Sequence, residues 1–248
     1  MKFSAWLSAS TPWPDLLDEF RHAERTGWDG AWIADHFMPN AENNLGPVQE
    51  AWTTLAALGA LVPRLRLGTM VSCNTYRHPA VLAKEVAQVD VITGGRVVLG
   101  IGAGWQENEH AAYGITLGSP RERSDRLEEA VQIIRSLFDN ERTDFHGKYY
   151  QLTDAPLAPK PVQAHLPILV GGGGEQRTLR TVARYADEWN SGASPEVFAA
   201  KLKVLAEHCE KAGRDPKSVR SLSNRLRMIC TASSRRSERS RGEPSVMP

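Results

Sequence analysis

Short, almost wholly apolar runs recur along this chain, and each is followed by a stretch with helical periodicity. The runs are "KFSAWLS", "GAWIAD", "LRLGTMVS", "RVVLGIGAG", "ILVGGGG" and the more polar "DEWNSG". In the first helical stretch, "TPWPDLLDEFRHAERTG", Leu16, Leu17, Phe20 and Ala23 share one face and Gly27 is the stop signal. Further helices are expected at "EAWTTLAALGALV", "HPAVLAKEVAQVDVIT", "SDRLEEAVQIIRSLF", "EQRTLRTVARYA" and "SPEVFAAKLKVLAEHCEKAG". Strands apolar on both sides must be covered on both faces, and a parallel sheet flanked by helices does this. Six or seven such units in 248 residues, with no compositional break, predict a single α/β domain of the (β/α)8 TIM barrel type. A doubly wound sheet is the other fold the pattern allows.

The barrel is expected to occupy residues 1–230. A rim insertion at about 140–165 contains "TDFHGKYYQL", a hairpin turning at Gly147, and a proline-rich connection. A last strand is expected within "SVRSLSNRLRMIC". No eighth strand–helix unit can be drawn after it, so the barrel is expected to be incomplete at its C-terminus, leaving apolar surface that a homodimer would cover.

Several function classes are excluded early. No apolar run is long enough to cross a bilayer, and the start is too weakly apolar for a secretory signal. Cys73, Cys209 and Cys230 are odd in number and lack metal-type spacing, so a reduced, cytoplasmic protein without a metal is expected. The net charge is +1, yet from Gly213 onward nine Lys/Arg face three Asp/Glu. Residues 231–248 carry no interleaved aromatics, so they read as a disordered, solvated tail rather than a nucleic-acid arm.

Three clusters carry chemistry. Gly171, Gly172, Gly173 and Gly174 stand between a strand and a helix, where bare amides suit a phosphate and Gln176 and Arg177 could add donors. A tight turn that binds nothing is the competing reading. The run is neither a P-loop nor a dinucleotide fingerprint. Gly100, Gly102 and Gly104 alternate along the fourth strand, either to seat something flat or to relieve a crowded barrel layer. Trp105 and Asn108 follow at the mouth, where a ring and an amide suit a heterocycle. Asp35 and His36 end the second strand, the place where barrels keep groups for proton transfer.

In this order, "GWDGAWIADHF", "LGTMVSCNTYRHPAVLAKEVAQVDVITGGRVVLGIGAGW" and "PILVGGGGEQRTLRTVARYADEWN" resemble the luciferase-like monooxygenase family, from about Lys2 to Gly213. That family comprises barrel flavoenzymes and deazaflavin-dependent oxidoreductases, and the likeness is closest to the branch that uses coenzyme F420. The resemblance implies that Asp35 and His36 lie beside the tricyclic ring. It also implies a non-proline cis peptide between Met70 and Val71 behind the ring, and Cys73 at the ring's polar edge. Gly104, Trp105 and Asn108 would lie over the cofactor, with Gly171 to Glu175 around its phosphate. His36 would donate or relay a proton, while Asp35 would orient His36 or the loop. The family's sugar-phosphate dehydrogenases carry a tryptophan where this chain has Asn40 and a glutamate where it has Trp105.

The function implied is hydride transfer between F420 and a small organic substrate. Were FMN the cofactor, the same site would suit a monooxygenase. A non-catalytic flavin-binding protein is a third reading.

Overall fold

The computed structural model describes residues 2–41 and 45–223. Its strands are β1 (Ser4–Leu7), β2 (Gly30–Ile33), β3 (Arg66–Thr69), β4 (Ser72–Cys73), β5 (Val97–Gly102), β6 (Arg142–His146), β7 (Gln151–Pro156), β8 (Ile168–Gly171), β9 (Glu188–Ser191) and β10 (Arg220–Ser223). The helices are α1 (Trp13–Arg25), α2 (Ala51–Leu61), α3 (Pro79–Thr93), α4 (Glu107–Tyr113), α5 (Pro120–Asp139), α6 (Thr178–Tyr185) and α7 (Pro195–Lys211). One parallel sheet runs β1-β2-β3-β5-β8-β9-β10, and β4 pairs with β5 beyond the end of β3. Every apolar run read from the sequence is therefore a strand of this sheet, in chain order, as in a (β/α)8 barrel. Among the described residues the edges are β1 and β10.

The sheet curls. Along β2, Ala31 and Ile33 join the outer core beneath the helices, whereas Trp32 points inward. There it packs with Met70, Val98 and Leu169, and Val71 and Leu222 close the same cluster from the turn after β3 and from β10. At the N-terminal end of the barrel, Arg66 of β3 reaches Glu188 of β9 through two bonds of 2.5 and 3.2 Å. Arg220 of β10 adds a third at 3.0 Å. One end is thus tied by ion pairs, and the Arg66–Glu188 pair crosses between strands that are not sheet neighbours. The opposite end carries the loops that leave each strand.

Several helix boundaries differ from those read in the sequence. α5 starts at Pro120 because Ser119 caps it, accepting from the Glu122 amide at 3.2 Å with proline in the first turn. α6 starts only at Thr178, since the chain from Gly172 to Arg177 stays a turn and the Leu179 amide bonds Gly174 O. α4 had no counterpart in the sequence reading. β6 and β7 form the expected antiparallel hairpin around Gly147, and Tyr150 beyond the turn places its hydroxyl 3.5 Å from Asn74 Nδ2. Of the expected last strand only Arg220–Ser223 is described; the basic tail lies outside the described residues. No described helix is long and apolar enough to cross a membrane.

Candidate active site

His36 leaves β2 at the open end and is held by a residue the sequence reading did not single out. Its Nδ1 lies 2.8 Å from Oε1 of Glu109, a fully buried carboxylate on α4. The other oxygen of Glu109 accepts from the Phe37 amide at 2.9 Å, and the Tyr76 hydroxyl donates to Oε1. Phe37 and Tyr76 stack over this contact with ring centroids 4.4 Å apart. Trp105 presents its ring at 80° to His36, 5.6 Å between centroids. Trp105 itself is 58% exposed, a free aromatic wall beside the imidazole.

Asp35 turns the other way. Its carboxylate takes Arg77 at 2.7 and 3.3 Å and the Cys73 amide at 3.3 Å, so it orients the loop after β4 and not His36. Arg77 also pairs with Glu50 at 2.5 Å and Glu85 at 3.1 Å. Burial pushes the Asp35 carboxyl up from its ordinary range, and the Arg77 charge pulls it back. Burial opposes the Arg77 charge too, but Asp35 leads the carboxylates that raise its pKa.

The peptide bond between Met70 and Val71 is cis. Val71 projects into the barrel between two glycines: a Cβ on Gly102 would stand 2.8 Å from Val71 Cγ2, and one on Gly171 2.8 Å from Cγ1. A Cβ on Gly100 would stand 1.9 Å from Thr69 O. Of the two readings of the alternating glycines, crowding is the one realised at Gly100 and Gly102. Gly104, at φ +87°, abuts Cys73, whose Sγ would lie 2.7 Å from an added Cβ. Both ends of the Asn108 amide are engaged within the loop, Nδ2 with Pro39 O at 3.4 Å and Oδ1 with the Glu109 amide at 2.9 Å.

Cys73 heads a buried chain of hydrogen bonds. His110 Nδ1 lies 2.6 Å from Gln106 O and so must donate, which leaves Nε2 to accept from Thr75 Oγ1 at 2.6 Å. The Thr75 oxygen, 2.9 Å from Sγ, then accepts from the Cys73 thiol. Burial pushes that thiol up to about 11. At about pH 8 roughly one molecule in a thousand would carry the reactive thiolate. Iodoacetamide at that pH should leave Cys73 unmodified in the native protein and label it after denaturation, as mapped by peptide mass. Rapid labelling of the native protein would contradict this closed chain.

At the end of β8, the Gly172 amide bonds Asn190 O at 3.0 Å and Gly172 O accepts from Trp189 Nε1 at 2.8 Å. The next four amides are different. Among the described residues, the N–H groups of Gly173, Gly174, Glu175 and Gln176 have no protein acceptor. Lys201 of α7 enters from the side, donating to Gly173 O at 2.6 Å and Glu175 at 3.0 Å. Arg177, expected to help bind an anion, pairs instead with Asp125 on α5. Uncapped donors beside a lysine suit a phosphate, and the inward Val71 at the head of the loop suits an apolar ring face, so the residues present fit a flavin-type cofactor. No group of three described His, Cys, Asp or Glu side chains could hold a metal.

Comparison with known proteins adds four findings. The family profile described as luciferase-like monooxygenase matches residues 1–241. The F420-dependent hydroxymycolic acid dehydrogenase of Mycobacterium tuberculosis is 37% identical over 205 residues, 82% of this chain and 56% of that protein. The F420-dependent glucose-6-phosphate dehydrogenase of Amycolatopsis mediterranei is 34% identical over 213 residues, 81% of this chain and 62% of its own. This chain thus spans less than two thirds of the length of these relatives. Among solved structures, an F420-dependent secondary alcohol dehydrogenase in complex with an F420–acetone adduct superposes with a TM-score of 0.82 at 26% identity. That match covers 89% of this chain and 67% of the other.

Proposed function

The chain belongs to the luciferase-like monooxygenase family, and from that premise we propose that it is an F420-dependent oxidoreductase exchanging a hydride with a small organic substrate at the barrel mouth. The observation that carries this reading is the row of uncapped amides at 173–176. A phosphate oxygen accepts such donors without help from any side chain, and glycine lets it approach the backbone. Lys201, held by Gly173 O and paired with Glu175, stands at the edge of the row. Met70 and Val71 would support the ring, and Cys73, Gly104 and Trp105 would border it. The relatives named above support the choice of F420.

Bound there, F420 supplies a two-electron hydride carrier that resists the one-electron chemistry of flavins with oxygen. The protein supplies the proton path. With Nδ1 engaged by Glu109, His36 offers Nε2 to a substrate oxygen. When hydride leaves a carbon that bears a hydroxyl, Nε2 takes the hydroxyl proton; in the reverse direction it returns that proton to a carbonyl oxygen. Asp35 and Arg77 hold the Cys73 loop that borders this space. Sugar phosphates are not the substrate proposed, because this chain has Asn40 and Trp105 where the resemblance implies a tryptophan and a glutamate in those dehydrogenases.

Titration of the protein with F420, followed by the absorbance and fluorescence of the deazaflavin, should show saturable binding. An equal concentration of FMN should not displace it. Tight FMN binding without F420 binding would move the site to monooxygenase chemistry, and binding of neither would overturn the reading.

A further inference from the structure

We propose that Glu109 is a positioning residue that fixes which nitrogen of His36 reaches the reacting atoms. The inference rests on the reading of His36 as the proton-transferring group. A fully buried carboxylate needs its charge and lone pairs matched. Glu109 finds three donors: the Phe37 amide, the Tyr76 hydroxyl and the His36 ring. Two of these donors cannot leave, since one is backbone and the other is pinned by the Phe37 stack. The third must then bring a hydrogen on Nδ1, because a carboxylate oxygen only accepts.

The consequence for chemistry is specific. A neutral imidazole with its hydrogen on Nδ1 presents a lone pair at Nε2, so His36 enters the cycle as a base toward a substrate hydroxyl. Rotation of the ring would break the Glu109 contact and disturb the T-shaped packing against Trp105. Asp35, the nearest carboxylate in sequence, does not compete, because Arg77 and the Cys73 amide engage it.

The test uses cofactor-free protein labelled with 15N-histidine, at about pH 9, well above the usual imidazole range. The seven histidines of the chain are separated by a His36→Asn difference spectrum. Wild-type His36 should show a protonated Nδ1 and an unprotonated Nε2. Glu109→Gln has only one accepting oxygen for the Phe37 amide and the ring together, and should shift His36 toward the Nε2–H form. Tyr76→Phe keeps the Glu109–His36 contact and should leave the tautomer as in wild type. A wild-type Nε2–H tautomer would overturn the proposal even if Glu109→Gln and Tyr76→Phe fail to fold. So would a Glu109→Gln spectrum identical to wild type. The measurement needs no cofactor, so failure to bind F420 would count against the proposed function and leave this assignment standing.

Discussion

Replacing Gly100 with alanine should lower the melting temperature by roughly 8–16 °C, the shift that about 4 kcal/mol produces in a domain of this size. The added Cβ would sit 1.9 Å from Thr69 O and 3.0 Å from Thr69 C, inside contact distance of backbone that cannot swing aside. Thr69 is held there from its own side, because its hydroxyl donates to Gly100 O at 2.7 Å and Ser72 Oγ donates to the Thr69 hydroxyl at 3.0 Å. Relief would require β3 and β5 to separate, and with them the turn that aims Val71 into the barrel. A comparison variant separates contact from conformation. Gly114, the left-handed cap of α4 at φ +68°, has nothing within 4 Å of an added Cβ. Gly114→Ala should therefore cost only the left-handed strain, about 1 kcal/mol or roughly 2–4 °C. Differential scanning calorimetry on both reads the contrast. Equal, small shifts would mean that Thr69 does not crowd Gly100, and the ring support proposed at Val71 would fall with that packing.

Gly100 also marks where sequence reading stops. The strand positions were legible because β2, β5 and β8 are buried on both faces, and a strand with no wet face must be apolar throughout. The alternation of Gly100 and Gly102 was equally visible, but not what fills the space. That depends on the path of Thr69 and Val71, set by residues about thirty positions away. Asp35 and His36 could be singled out because they follow a strand at the end of the barrel that carries the loops. Glu109 could not, because "QENEH" looks like a solvated polar run, and α4 has only 7 residues, too few for a periodic signal. Its burial comes from Phe37 and Tyr76 closing over it. One usable sign was a charge pair of opposite kinds, a lone histidine after β2 and an acidic run after β5, each at the same end of a parallel sheet. Arg177 misled for the same reason: its partner Asp125 lies on a different helix, 52 positions away.

The largest effect on function is expected from Gly173→Asp, with Gly173→Asn beside it. Gly173 lies outside the left-handed region, and an added Cβ would meet Lys201 Cε at 3.4 Å, Ser191 Oγ at 3.6 Å and Lys201 Cδ at 3.7 Å, all ordinary contacts, so a side chain is tolerated there. Both variants should melt within about 3 °C of wild type, as expected of a change costing under about 1 kcal/mol. Their cofactor affinities should differ sharply. An aspartate beside the amides of 173–176 would accept hydrogen bonds that the phosphate would otherwise take, each worth about 1.5–3 kcal/mol when charge-assisted. It would also repel the phosphate by about 1–4 kcal/mol at contact distance. Together these predict a rise in the dissociation constant for F420 of about 10²–10³ at least. Asparagine competes for the same amides without the charge, so its loss should be smaller, and added salt should narrow the gap between the two. F420 and FMN both carry a phosphate, so this result tests the anchoring of the cofactor tail apart from the identity of the ring. Wild-type affinity in Gly173→Asp would mean that the phosphate lies elsewhere, and the geometry on which the proposed chemistry depends would go with it.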